Sequence, residues 1–126
     1  MAKRTVYSII ESPTHPDLAD VYARAGLDEI RLTSTRKAIA QLKEHAPDYV
    51  VAEFFYGYGN NYAGVNISNL DVFLFSLQKY APHARVIVLV DKSERQYVDK
   101  LNDILPLHAV FVLPVQPEQM AAMLAS

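Results

Sequence analysis

Pro-Asp-Tyr-Val-Val-Ala-Glu, residues 47–53, is the stretch of sequence that decides the fold. A helix stops before Pro47, and the apolar residues 49–52 are typical of a strand that is buried on both faces. Glu53 ends this run and places one carboxylate at the carboxyl tip of the strand. The stretch therefore predicts a central strand of a parallel sheet with a polar group at the edge where open α/β sheets bind ligands.

Strand and helix patterns alternate five times along the 126 residues, which predicts a parallel sheet with helices on both faces. Predicted strands cover residues 5–10, 29–32, 49–54, 86–90 and 109–113. The first helix is predicted to be capped by Thr14 or His15 and to stop at Gly26, because glycine readily ends helices. The other predicted helices cover residues 35–45, 68–81, 93–105 and a short segment after Pro117.

Two serines predict where helices begin. Ser68, with Asp71 three residues later, is predicted to cap the third helix. Ser93 and Gln96 have the spacing of a capping box and predict a continuous fourth helix.

The composition of the strands predicts their order in the sheet. Strands one, three and four are mostly apolar and suit central positions, whereas residues 29–32 alternate charged and apolar side chains and suit an edge. These features predict a single flavodoxin-like domain with three layers and the strand order 2-1-3-4-5. Strand five becomes the other edge, and its wholly apolar sequence requires a cover of flanking helices or of a second subunit.

The overall composition excludes several functional classes. Hydrophobic residues make up 51% of the chain and charged residues 21%, which suits one compact domain. A net charge of -2 gives no electrostatic footprint for nucleic acid, and no apolar run reaches the ~18–20 residues of a membrane span. Without cysteine the chain has no disulfide or thiolate chemistry, and the cytoplasm is the default location.

The stretch 47–53 resembles the third strand of bacterial response-regulator receiver domains (CheY-like domains), which usually reads Pro-Asp-x-Val-x-x-Asp and ends in the phosphorylated aspartate. The similarity covers nearly the whole chain in the order and length of its elements. In receivers the site consists of an acidic pair, the phosphoacceptor, a threonine or serine, and a lysine before a proline that is typically cis. The matching positions here hold Glu11, Ser12, Glu53, Val90, Leu113 and Pro114.

The departures from the receiver pattern imply that phosphorylation chemistry has been lost. Phosphoryl transfer needs magnesium, an accepting carboxylate and donors for the phosphoryl oxygens. Here the hydroxyl and the lysine are replaced by Val90 and Leu113, and Glu53 is one methylene longer than aspartate. The resemblance thus implies a degenerate receiver, or pseudo-receiver, over residues 1–126, a non-enzymatic signalling module that needs no cofactor and acts by binding proteins.

The sequence leaves two interpretations of Glu53 open. It is either a solvated carboxylate at a strand end, paired with Lys92 or capped by backbone amides, or a permanent negative charge that imitates the phosphorylated state. Mimicry is weakened because Val90 has no hydroxyl to report the charge.

An aromatic, glycine-rich loop, residues 55–67, follows the third strand and contains three of the four glycines of the chain. Its candidate partner-binding residues are Tyr56, Tyr58, Asn60 and Tyr62, because tyrosines offer large contact areas with few rotors to freeze. The alternatives are a loop that packs on its own domain and a lid over a small molecule. A second predicted protein contact is a homodimer through helix four, strand five and helix five.

The alternative function is a small-ligand or divalent-metal site. Glu11, Glu53 and Asp91 follow strands one, three and four, so the topology brings them to one edge, where His15 could approach. Carboxylate oxygens suit magnesium, manganese or calcium. The remaining histidines, His45, His83 and His108, are predicted to lie at the opposite edge of the sheet.

Overall fold

A computed structural model describes residues 4–10, 18–56, 70–113 and 115–124 of the chain. The strands are β1 Arg4–Ile9, β2 Leu27–Leu32, β3 Tyr49–Glu53, β4 Arg85–Val90 and β5 Ala109–Val112. The helices are α1 Ala19–Arg24, α2 Thr35–Leu42, α3 Asp71–Tyr80, α4 Arg95–Val98 and α5 Pro117–Leu124. Short 3-10 helices, Lys92–Glu94 and Asp99–Asp103, flank α4.

The five strands are parallel and follow the predicted order β2-β1-β3-β4-β5. The residues of β3 are all buried, as their apolar sequence predicts for the middle of the sheet. Both predicted edge strands are confirmed. The sheet therefore aligns the carboxyl ends of β3 and β4, where Glu53 lies opposite Leu89.

Helices cover both faces of the sheet because successive strand residues point to opposite faces and are apolar on both. One core layer packs α2, α3 and the segment 92–105 on the sheet, with Phe73, Leu74 and Leu77 of α3 fully buried. The other packs α1 and α5, with Tyr22 and Met120 buried against Tyr49 of β3. The chain thus forms the three layers that its hydrophobic pattern predicts.

The ends of α1 and α3 agree with the predictions only in part. Gly26 has a φ of 76°, the left-handed conformation predicted for the residue that stops α1. The helix α3 begins at Asp71, with Leu70 as N-cap and no side-chain capping bond. The predicted caps Thr14, His15 and Ser68 lie outside the described residues.

The prediction of a continuous fourth helix opened by Ser93 is wrong. The Asp91 carboxylate accepts a hydrogen bond from the backbone N–H of Ser93 at 3.0 Å, so Asp91 is the cap. Because this cap starts the turn two residues earlier, the segment opens as a 3-10 helix and has only four residues of α-helix. The side-chain oxygen of Asn102 then accepts a hydrogen bond from the backbone N–H of Leu107 at 2.9 Å, and the segment ends there.

The cover over β5 is incomplete. Ala109, Val110 and Phe111 are partly buried by packing on the two core layers, whereas Val112 is 40% exposed. Flanking helices therefore supply much of the cover. The second subunit stays a prediction.

None of the helices in the described part of the chain is long and apolar enough to cross a membrane.

Candidate functional site

A cavity of about 280 Å³ lies at the carboxyl edge of the sheet, where β3, β4 and β5 end. Backbone bonds position its walls: the N–H of Phe54 donates to the carbonyl of Leu89, and that of Leu113 donates to the carbonyl of Val90, both at 2.8 Å. The described residues that line it are Glu53, Phe54, Phe55, Leu89, Asp91, Ser93, Glu94 and Leu113.

Glu53 lines this cavity and is only 3% exposed. The prediction that this carboxylate is solvated is therefore wrong. Its pairing with Lys92, its capping by backbone amides and its imitation of the phosphorylated state stay predictions. The neighbouring strand ends explain the burial of Glu53, because Leu89 and Leu113 line the cavity beside it and neither contact is visible in the local sequence. An ionised carboxylate with so little water must gain its stabilisation from protein groups. Glu53 is not without an interaction partner.

Asp91 lines the same cavity but is exposed, and its carboxylate is engaged locally. It accepts hydrogen bonds from both the hydroxyl and the backbone N–H of Ser93. These two bonds, the hydroxyl bond first, lower the pKa of Asp91 below its ordinary value. Asp91 therefore stays ionised at neutral pH, and its carboxylate caps the turn that follows β4.

Val90 and Leu113, the residues at the receiver hydroxyl and lysine positions, take different places. Leu113 lines the cavity together with Glu53 and Asp91. The side chain of Val90 is fully buried in the core layer of α2 and α3. Leu113 therefore contributes an apolar side chain to the lining of the cavity, and Val90 contributes none.

The ionisable residues in the described lining of the cavity are all acidic. Glu53, Asp91 and Glu94 contribute carboxylates, while its described lining includes no lysine or arginine. In residues 4–10, 18–56, 70–113 and 115–124, no group of three or more histidine, cysteine, aspartate or glutamate side chains could hold a metal ion. Three carboxylates share the cavity, yet they do not converge as a cation site.

Several predicted site residues lie outside the described residues, and the structure leaves them as predictions. They are Glu11, Ser12, His15, Tyr58, Asn60, Tyr62 and Pro114, and with Pro114 the expected cis peptide bond.

Tyr56 is the candidate loop residue whose position is described. Its backbone N–H donates to the Glu94 carboxylate at 3.0 Å, and its ring stacks on Tyr97 with 3.7 Å between centroids and 16° between planes. It remains 48% exposed. The start of the aromatic loop is thus attached to the segment that follows β4.

Sequence reasoning missed both Tyr97 and Glu94 as parts of this site. They lie 41 and 38 positions from Tyr56, so local spacing carries no sign of the contact. The available signal was the topology, which brings the residues after β3 and β4 to the same edge.

Comparison with known proteins decides the fold. A receiver domain protein from Clostridium thermocellum superposes with a TM-score of 0.72 at 14% sequence identity, covering 96% of this chain and 90% of that one. The chemotaxis response regulator CheY4 of Vibrio cholerae also reaches a TM-score of 0.72, at 13% identity, with 98% of this chain and 97% of that one covered. The chain has the receiver-domain fold.

A response regulator from Thermotoga maritima extends the receiver likeness to the full length, with a TM-score of 0.71, 15% identity, and 99% of this chain and 100% of that one covered. No protein-family model and no curated protein matches the sequence. The receiver likeness is therefore carried by tertiary structure and by the short stretch 47–53.

Proposed function

We propose that residues 1–126 form a pseudo-receiver, a non-catalytic signalling module that acts by protein–protein interaction and is not competent for phosphorylation. The observation that carries this proposal is the cavity at the carboxyl edge of β3. It combines the receiver fold with a buried glutamate at the acceptor position and with Leu113 where receivers place a lysine.

The chemistry of the cavity opposes the transfer of a phosphoryl group. Such a group carries negative charge on its oxygens, and catalysis requires cations and hydrogen-bond donors aimed at them. Leu113 offers neither, and the Asp91 carboxylate, which is held ionised, would repel the incoming group. Glu53 also projects one methylene farther than aspartate into the space that the group needs.

Beryllofluoride, which imitates a bound phosphoryl group, is expected to leave this protein unchanged in the presence of magnesium. Binding at 100 times the dissociation constant would stabilise the fold by about 2.7 kcal/mol, which thermal unfolding easily detects. We expect no change in melting temperature, and no covalent phosphate by mass spectrometry after acetyl phosphate treatment. A working receiver serves as the positive control. A clear stabilisation or a phosphorylated Glu53 would overturn the claim of incompetence.

The surface proposed to bind the partner is the stacked pair of Tyr56 and Tyr97 together with Glu94. Tyr56 combines a fixed backbone with an exposed ring, so little conformational entropy is lost on binding. Aromatic side chains of this kind are enriched at the energetic centres of protein interfaces. The carboxylates of Asp91 and Glu94 beside it favour a partner with a basic surface.

Tyr56→Ala should reduce partner capture about tenfold or more, because it removes the exposed ring at the centre of this surface. Its effect on the free energy of unfolding should stay near 1 kcal/mol, the value of one aromatic pair. The measurement is a pull-down from the native host, quantified beside thermal unfolding. The matched control is Tyr80→Ala, because Tyr80 is also an exposed tyrosine (39%) but is the last residue of α3, away from the proposed surface. Equal capture by both variants would remove Tyr56 from the interface.

A homodimer through the segment 92–103, β5 and α5 is a second proposed contact, supported by the edge position of β5 and by the exposure of Val112. Val112→Asp should lower the apparent mass in light scattering from dimer to monomer while the melting temperature changes little. Phe111→Asp is a poorer probe, because Phe111 packs on the core layer of α1 and α5 and its loss would destabilise the monomer. A wild-type chain that is monomeric at all concentrations would disprove this contact.

A further inference from the structure

A groove of about 360 Å³ lies between α1 and α5, in the helical layer on the other face of the sheet from Tyr97. Its volume falls within the ~300–1,000 Å³ typical of small-molecule sites. Apolar side chains form most of its described lining, and they come from both helices: Val21, Ala25, Pro117, Ala121 and Leu124.

Two arginines line this groove, and the start of β1 and the end of α1 bring them to the same edge of the sheet. Arg4 is the first residue of β1 and Arg24 the last of α1, and both line the groove near Leu124 at the end of α5. The Arg4 guanidinium is held over the Tyr49 ring, 5.7 Å from its centroid. In the described part of the chain, the ion pairs of Arg31 with Glu29 and of Arg95 with Asp99 involve neither Arg4 nor Arg24.

The groove also carries the opposite charge, at the start of α5. Glu118 lies in the first turn of α5, six residues before Leu124, which at 1.5 Å per residue corresponds to about 9 Å along the helix. An occupant must therefore have an anion at the arginines, an apolar body, and no second anion about 9 Å away.

We propose that this groove binds a small amphipathic monocarboxylate, with its carboxylate on Arg4 and Arg24 and its apolar body between α1 and α5. Guanidinium groups suit this ligand because their planar fork matches a carboxylate in two parallel hydrogen bonds. The apolar lining removes hydrocarbon from water, and Glu118 selects against dicarboxylates. This site shares no residue with the cavity at the carboxyl edge or with the surface of Tyr56, Tyr97 and Glu94, so it does not rest on the pseudo-receiver function. It does use α5, which also belongs to the proposed homodimer contact.

Titration calorimetry of the full chain with octanoate tests the proposal. We expect binding at one site per chain, and no binding of octanol or of octanedioate, whose second carboxylate would meet Glu118. Arg24→Gln should weaken octanoate binding about tenfold or more, the loss expected for a hydrogen bond to a charged group. Ala121→Leu should abolish it by filling the groove with a residue at an exposed position.

Arg36→Gln is the matched control, because Arg36 is exposed on α2 in the other helical layer. No heat with octanoate, equal affinity for octanol, or wild-type affinity in both groove variants would each overturn the proposal. The proposal would also be overturned if the wild-type protein did not bind octanoate and formed a dimer that both Arg24→Gln and Ala121→Leu dissociate. That result would assign the groove to a second copy of the chain. Capture of the partner at Tyr56 should be unchanged in both groove variants, which separates this test from that of the proposed function.

Discussion

Phe73→Ala is expected to destabilise the fold by about 3–5 kcal/mol, the usual cost of removing a fully buried phenylalanine. Phe73 has no exposed surface and packs in the core layer between α3 and the sheet. The loss is a large part of the ~5–15 kcal/mol that holds a typical domain together. Urea unfolding should show it directly, and the melting temperature should fall by about 10–20 °C.

Phe75→Ala is the matched control for this result, because it makes the same chemical change two residues along the same helix. Phe75 is 53% exposed, so its replacement should change the free energy of unfolding by less than about 0.5 kcal/mol. The pair tests which face of α3 packs on the sheet. Equal losses in the two variants would mean that α3 is rotated from its described position or that another part of the chain covers Phe75.

Alkaline pH should lower the free energy of unfolding of the wild-type protein more than that of a Tyr7→Phe variant, each compared with its own value at neutral pH. Burial raises the pKa of Tyr7 from 10.0 to about 12. Its side chain has no exposed surface, and its hydroxyl donates to the backbone carbonyl of His45. The folded state therefore keeps the phenol protonated at a pH where the unfolded chain ionises it.

The sign of this effect follows from linkage. A pKa that is higher in the folded state contributes stability that is complete below pH 10 and is lost as the pH rises toward 12. At neutral pH Tyr7→Phe should cost about 0.5–1.5 kcal/mol for the lost hydrogen bond. Urea unfolding of both proteins between pH 8 and pH 12 should show this difference shrinking above pH 10. Parallel curves would show that Tyr7 does not carry the proton linkage.

The alternation of strand and helix, the strand order and both edge strands could be predicted because they depend on patterns that repeat along the chain. Residues 49–52 are apolar without interruption, and only a central strand with helices on both sides buries such a run. Gly26 marked a helix end because few other residues tolerate a φ of 76°.

The fourth helix could not be predicted because two local patterns compete there. Ser93 and Gln96 have the spacing of a capping box, yet Asp91 is also a good cap and lies immediately at the end of β4. The chain leaves the strand at Asp91, and the nearer cap starts the turn. The local sequence pattern does not show which of two neighbouring capping residues starts the helical segment.

The candidate site shows the same division. Its location at the carboxyl edge and the presence of Glu53 and Asp91 there follow from topology, since both residues follow central strands. Leu113 follows from the resemblance to receivers, which have a lysine at this position before a proline. The burial of Glu53 follows from neither, because it depends on side chains at the ends of β4 and β5, which are distant from Glu53 in sequence. The stacking of Tyr56 on Tyr97 depends likewise on two segments that meet only after the sheet has formed.

The sequence by itself determined the fold class, the strand order and the chemical identity of the groups at the carboxyl edge, because hydrophobic periodicity and residue type are local properties. Only the tertiary structure decided that Glu53 is enclosed, that Asp91 caps its own turn, that Val90 faces the core, and that two arginines line the groove between α1 and α5. Each of these depends on which distant side chains exclude water or meet in space, and no local pattern records that.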